Sequence, residues 1–252
     1  MNFAMKDLFS EHSELYQQVR PDYSAEIMQA ILQHAPERHL AWDCGAGSGQ
    51  LTKWLSPYFQ SVLATDISAA QLAQAPPLKN VTCRAAGAEH SGLPDRSADL
   101  VTAAQAIHWF DFEAFYAEVR RVLKPDGCLA VIGYGLIEAQ DLQLNQLIQA
   151  LYFQTLKGYW DTERRYIDEL YQTIPFPFLE QAVPSLSLQY RWSAQQLLNY
   201  FSTWSGLKHY AKQHRQSPLA PLETYFAAQP IALYAIQFPV LLRVGKLKPS
   251  SR

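Results

Sequence analysis

Apolar and polar positions along the chain switch repeatedly between two periods, and the switching predicts helices alternating with strands. Ile27, Ala30, Ile31 and Ala35 recur at helical spacing after Pro21, which restricts φ, and Ser24, which can cap free amides. The mostly apolar run 39–43 reads as a first strand. It breaks into Gly45, Gly47 and Gly49, after which Leu51, Trp54 and Leu55 resume the helical period. A second strand is expected over 61–65, ending at Asp66, then a helix over 69–75 and a third strand over 81–85. Residues 99–104 predict a fourth strand that runs into 105–109, and 112–123 predict a helix stopped by a turn at Lys124-Pro125-Asp126-Gly127. The uninterrupted apolar run 128–132 fits a fifth strand covered on both faces.

From 140 to 235 the texture changes to aromatics and glutamine, with helical spacing in Leu142, Leu147 and Leu151 and again in Leu197, Leu198, Phe201 and Trp204. Residues 186–190 alternate like a half-exposed strand, 238–244 read as a final buried strand, and 245–252 are a polar tail. Repeated βα units favour a parallel sheet. The expected fold class is therefore α/β, a Rossmann-like doubly wound, mostly parallel sheet with helices on both faces and a helical cap. The expected organisation is one domain over 1–252. Its cofactor-binding half spans 1–135, a largely helical cap and substrate region with one strand spans 136–235, and a final strand spans 236–246.

With 252 residues and 48% hydrophobic content the chain can bury a substantial core. A formal net charge of -2 supplies no basic field for a phosphate backbone, which disfavours nucleic acid as a partner. No stretch is long and apolar enough for a membrane span, so the sequence predicts a cytoplasmic protein without a membrane partner. Cys44, Cys83 and Cys128 lack metal-ligand spacing, and the expectation is three reduced structural thiols with no metal site.

The most informative segment is Asp43-Cys44-Gly45-Ala46-Gly47-Ser48-Gly49. It sets three glycines where a strand must turn into a helix and let a ligand approach the backbone. Alone, such a triplet is an ordinary flexible loop. Asp66, roughly twenty positions later at the end of the next strand, adds a carboxylate able to accept both hydroxyls of a ribose held over the bend. The glycines run GxGxG rather than GxGxxG, and an acid precedes them. A pyrophosphate would be repelled by Asp43, whereas the ammonium of a methionine moiety would be attracted to it directly or through water. That favours S-adenosylmethionine over a dinucleotide.

On these residues the sequence resembles the class I S-adenosylmethionine-dependent methyltransferases of the type 11 group. Within it, Gln105-Ala106-Ile107-His108-Trp109-Phe110-Asp111 and Tyr16-x-x-x-Arg20-Pro21-x-Tyr23 resemble the subfamily that contains trans-aconitate methyltransferases. The resemblance extends over almost the whole chain, through Trp160-Asp161-x-Glu163-Arg164-Arg165 to Leu241-Leu242-Arg243-Val244-Gly245. It implies that Gly45, Ala46 and Gly47 pack against the methionine and ribose parts of the cofactor, that Asp66 binds the ribose hydroxyls and that Ile67 covers an adenine face. By the same resemblance Ala88 and Glu89 meet the adenine edge, although Gly87 stands where many relatives carry Asp. Gln105 and Ala106 border the methionine group, and Tyr16 and Arg20 close over its carboxylate.

The implied function is methyl transfer to a small molecule, with O-methylation of a carboxylic acid as one form of it. A carboxylate acceptor loses no proton, whereas a hydroxyl or carbon acid needs a base; His108, beyond the fourth strand's carboxyl end, is the candidate catalytic residue. Trp109 is a candidate wall of the substrate pocket, and Trp160, Arg164 and Arg165 a candidate anion-recognition cluster. A methyltransferase acting on RNA or protein, and a cofactor-binding protein without catalysis, stay open, as does the oligomeric state.

Overall fold

The computed structural model describes residues 19–229 and 232–248. The apolar runs do become strands. β1 (Leu40–Cys44), β2 (Ser61–Asp66), β3 (Val81–Ala85) and β4 (Ala98–Ala104) are parallel, and β4 pairs in parallel with β5 (Leu123–Tyr134). The runs of β1, β2, β4 and β5 are buried on both faces, whereas β3 at the sheet edge is largely exposed. The last strand, β9 (Tyr234–Lys246), closes antiparallel against β5 with Leu242 opposite Ile132. The order β3-β2-β1-β4-β5-β9 means the chain works outward from β1 and then crosses back to β4. The strand order therefore reverses between β1 and β4, and ligands of such sheets bind beyond the carboxyl ends at that point.

Alternation along the strands divides the core. Ala41, Leu100, Cys128, Ala130 and Ile132 face one layer, with Ile27, Met28 and Ile31 of α1 (Ala25–Leu32). Trp42, Val101, Leu129 and Val131 face the other, with Phe115, Val119 and Val122 of a second long helix (Phe112–Val122). Each fully buried valine, leucine, isoleucine, methionine or phenylalanine among these contributes about 1.5–3 kcal/mol. Both helices start at side-chain caps, Ser24 accepting from the Ile27 amide and Asp111 from the Ala114 amide. Two shorter helices, α2 (Thr52–Leu55) and α3 (Ala69–Leu72), follow β1 and β2, so the helix over Phe112–Val122 is α4.

Several expectations are corrected. The helix over 69–75 stops at Leu72. Lys124-Pro125-Asp126-Gly127 neither stops the helix nor turns the chain away: α4 ends at Val122, and β5 already begins at Leu123, opposite Ala98, and absorbs the proline through a register shift before Leu100 pairs with Cys128. Lys124 Nζ fixes this stretch by pairing with Asp99 Oδ1 at 2.6 Å. Asp99 also accepts from the amides of His39 and Leu40, so it ties the amino ends of β1 and β4, far from the ligand edge.

Among the described residues, the region between β5 and β9 holds three strands rather than one. β6 (Glu138–Ala139), β7 (Leu179–Gln181) and β8 (Ser187–Trp192) all pair antiparallel with β9, which is longer than expected and serves as their common seam. Helices α5 (Leu142–Ala150), α6 (Arg165–Asp168), α7 (Ala194–Ser202), α8 (Ser205–Gln213) and α9 (Ala220–Ala228) complete the cap. Leu142, expected on the apolar face, is 79% exposed at the first turn of α5. The cap shares one core with α1, since Ile148, Tyr152, Phe201, Trp204 and Phe238 belong to the same cluster as Ile27. Among the described residues no helix is long and apolar enough to cross a membrane. The three cysteines are free, but Cys83 is exposed rather than buried in the core.

Candidate functional site

Gly45, Gly47 and Gly49 all take positive φ, at 69°, 55° and 78°, the region in which a Cβ is penalised. Space is also short at Gly45, where a Cβ would stand 2.5 Å from Ala106 Cβ and 3.0 Å from the Phe110 ring. The bend is pinned to β2, because the amides of Gly45 and Ala46 both donate to Thr65 O, at 2.8 and 2.9 Å. Asp66 is fixed by the same architecture. Its Oδ2 accepts from the Gly47 amide at 2.9 Å and its Oδ1 from the Ser68 amide at 2.8 Å. Each carboxylate oxygen keeps a second lone pair for a ligand hydroxyl. Ile67 beside it is 48% exposed, and the exposed Glu89 folds its carboxylate back toward Gly87, with Ala88 half-buried between them.

Asp43 lies beneath the bend with no exposed surface. Thr52 Oγ1 donates to its Oδ2 at 2.6 Å and Thr102 Oγ1 to its Oδ1 at 2.8 Å. Burial raises its carboxyl from the ordinary 3.8 to about 6, opposed by the two threonine hydroxyls and assisted by the nearby Asp66 charge. Of the two expected modes of attraction to an ammonium, direct or through water, the full burial of Asp43 beneath the backbone leaves no surface for direct contact.

Beyond β4 the chain enters the left-handed region at Gln105, φ 52°, and forms a 3-10 turn over Ile107–Trp109. Gln105 donates its amide to Ile132 O at 2.8 Å and its side chain to Tyr134 O at 3.2 Å. Arg20 reaches the same tyrosine, Nη1 donating to Tyr134 Oη at 3.3 Å, and lies over the Tyr200 ring. Arg20 also lines a cavity of about 470 Å³ with Asp22, Ser48, Gly49, Gln50, Lys53, Gln74 and Pro76, on the flank of the glycine bend. Tyr16 lies outside the described residues.

On the cap side, His108 is 6% exposed and its Nδ1 is 3.1 Å from Tyr171 Oη. Burial, reinforced by the Arg164 guanidinium, lowers its imidazole from 6.5 to about 3. The half-buried Trp109 ring is tilted against His108, with centroids 5.1 Å apart. Arg164 is framed by aromatics. Its guanidinium lies over Tyr152 and Trp160, its Nε donates to Tyr152 Oη at 2.8 Å, and Asp168 Oδ1 is 3.9 Å away. Tyr152 is carried inward by a π-helical turn over Leu151–Thr155, and its carbonyl accepts from Trp160 Nε1 at 3.1 Å. Among the described residues the two Nη atoms of Arg164 carry no hydrogen bond, although the side chain is only 19% exposed. Arg165 does not join this group: it is exposed and packs over Tyr166.

The structure thus brings together Gly45, Ala46, Gly47, Asp66, Gln105 and Ala106 at the strand ends, and His108, Trp109, Trp160 and Arg164 under the cap. Sequence reasoning missed Thr52, Thr102, Tyr134, Tyr152 and Tyr171. The threonines could have been sought as partners for an acid forced into a buried strand, because such a group needs donors. The tyrosines arrive from remote segments and carry no local signal.

Comparisons with known proteins bear on this geometry. The family described as a methyltransferase domain matches residues 42–131, the stretch from β1 through β5 that carries the bend, Asp66 and His108. A Dictyostelium discoideum protein named as a methyltransferase is 35% identical over 249 residues, covering 95% of each chain. A Saccharomyces cerevisiae protein named as an S-adenosylmethionine-dependent methyltransferase is 31% identical over 138 residues, 51% of this chain and 46% of its own. Among solved structures, one described as a type II methyltransferase from Anaeromyxobacter dehalogenans superposes with a TM-score of 0.85 at 36% identity, covering 91% of this chain and 99% of that one. The YcgJ protein of Bacillus subtilis, at 19% identity and a TM-score of 0.52 over 95% of this chain and 100% of its own, shares the fold.

Proposed function

We propose that this chain, which belongs to the class I S-adenosylmethionine-dependent methyltransferases, holds its cofactor across the glycine bend and methylates a small carboxylic acid. The observation that carries the cofactor half is the bend itself, bare backbone at positive φ with a carboxylate fixed beside it by the Gly47 amide. Asp66 accepts the ribose hydroxyls, Ile67 covers an adenine face, and Ala88 and Glu89 border the adenine edge. Gly45, Ala46 and Gly47 give the methionine and ribose parts close backbone contact. Gln105 and Ala106 border the methionine group, whose carboxylate points toward Arg20 and Tyr16. Asp43 attracts the cofactor's positive charge through the bend.

Bound S-adenosylmethionine supplies a methyl on a sulfonium that departs as a neutral thioether. The protein's task is then alignment and dryness. Holding two reactants in line removes roughly 7–11 kcal/mol of barrier. Arg164 supports the acceptor half: a mostly buried guanidinium with two unengaged Nη atoms matches a carboxylate bidentately, and it lies near enough to His108 to perturb its charge. Trp109 and Trp160 wall the acceptor. A carboxylate held there would need no base, because it has no proton to lose when methylated.

The test is a labelled-methyl transfer screen with purified protein over small carboxylic acids, phenols and amines, with RNA and protein included. Label entering acids in base-labile esters is expected. Transfer only to RNA or protein overturns the acceptor reading, and calorimetric binding of NAD in preference to S-adenosylmethionine overturns the cofactor reading.

A further inference from the structure

Tyr171 reaches the site by a costly route. It follows α6 in a turn where Leu170 and Tyr171 both sit in the left-handed region, at φ 54° and 60°, a conformation that persists only where the surroundings impose it. They do impose it. The Tyr171 amide donates to Tyr166 O at 2.7 Å and its carbonyl accepts from Arg243 Nη1 at 2.9 Å, tying the turn to β9. Across the ring, Gly133 of β5 leaves the space the phenol needs; a Cβ there would stand 2.7 Å from Tyr171 Cε2 and 3.0 Å from Oη. The result of this fitting is a fully buried hydroxyl 3.1 Å from His108 Nδ1.

The direction of that hydrogen bond follows from satisfaction. A phenol carries one proton, and among the described residues His108 Nδ1 is the hydrogen-bond partner of Tyr171 Oη. Were Nδ1 to donate instead, the phenol's own proton would be buried without an acceptor, which is disfavoured. Tyr171 therefore donates and Nδ1 accepts. The ring is neutral in its buried place beside Arg164, and a neutral imidazole whose Nδ1 accepts carries its proton on Nε2. Among the described residues Nε2 has no hydrogen bond.

We infer that Tyr171 is a positioning residue that locks His108 in the Nε2–H tautomer, so that His108 presents a hydrogen-bond donor, not a base, to the methyl acceptor. The inference rests on the acceptor-side reading above and narrows it. A fixed donor suits an acceptor group with no proton to lose, such as a carboxylate with one oxygen on Nε2–H while the other attacks. It does not suit an alcohol or a carbon acid, which would need a lone pair at that place.

The experiment is ¹⁵N-detected imidazole spectroscopy on the full chain, wild type and Tyr171→Phe, with His108→Gln to assign the signal. The phenylalanine keeps the ring that packs against Gly133 and removes only the hydroxyl. The wild-type ring is expected to show a pyridine-like Nδ1 and a pyrrole-like Nε2. In Tyr171→Phe a bias of about tenfold is lost and the Nδ1–H form becomes visible. A wild-type His108 protonated on Nδ1, or ring shifts that do not change on removing the hydroxyl, would overturn the inference. The spectra require no acceptor. Failure of every carboxylic acid in the transfer screen, beside the expected spectra, would remove the acceptor reading and leave the tautomer assignment standing.

Discussion

Replacing Asp43 by Asn separates what this residue does for the fold from what it does for the ligand. Its carboxyl is raised by about two pKa units by burial, from 3.8 to about 6. At roughly 1.4 kcal/mol per unit the ionised carboxylate costs the cofactor-free protein about 3 kcal/mol at pH 8. The sign follows from proton counts. Between pH 4 and 6 the folded chain binds the proton that the unfolded chain releases, so stability falls through this window and stays low above it. Asparagine lacks the charge but offers one acceptor where the carboxylate offers two, so either Thr52 or Thr102 must turn its hydroxyl to accept, at a cost of about 1 kcal/mol. The variant is expected to gain about 2 kcal/mol at pH 8, or roughly 4–8 °C in thermal midpoint for a chain of this size. Near pH 4 that gain disappears. Affinity for S-adenosylmethionine should move the opposite way, falling in the variant and losing the rise with pH through about 6 that the raised Asp43 carboxyl predicts for wild type. Thermal melts from pH 4 to 8 and calorimetry at each pH read both quantities. A variant that is less stable than wild type at pH 8, or one with an unchanged pH slope of affinity, would refute the reasoning.

Gly45→Ala forces a Cβ into a site at φ 69° and 2.5 Å from Ala106 Cβ, so it should destabilise the protein by about 1–2 kcal/mol or more and weaken cofactor binding, read by melts and calorimetry. His108→Ala should lower turnover with little change in cofactor affinity, while His108→Gln, which restores an N–H donor, should recover part of the loss; equal losses in the two variants would count against a donor role. Arg164→Lys keeps the charge but not the planar fork, so KM for an acidic acceptor should rise about tenfold or more while neutral acceptors respond little, measured by steady-state kinetics.

What could be read from the sequence divides along a physical line. β2 and β4 were legible almost to the residue because their apolar runs are short and covered on both faces. The glycine bend and Asp66 were legible because backbone strain and ribose recognition both write themselves into local spacing. The segment after α4 was not, since proline and glycine signal a turn, and only pairing with Ala98 shows that the chain runs on as a strand. Beyond β5, strands as short as Glu138–Ala139 exist because β9 offers an edge, which no local pattern announces. Arg164 was visible as a residue type, but its separation from Arg165 depends on the aromatic frame supplied by the π-helical turn. Tyr171 was invisible for the same reason: its position depends on Gly133 and Arg243, both distant in the chain.

The central claim is that the bend between β1 and α2, with Asp66 beside it, holds S-adenosylmethionine. Calorimetric titration of that cofactor into wild type and Asp66→Ala tests it most directly. Loss of charge-assisted hydrogen bonds worth about 1.5–3 kcal/mol each should weaken binding at least tenfold in the variant, with its fold intact by circular dichroism. Equal affinity in the two proteins, or no binding to wild type, would contradict the account.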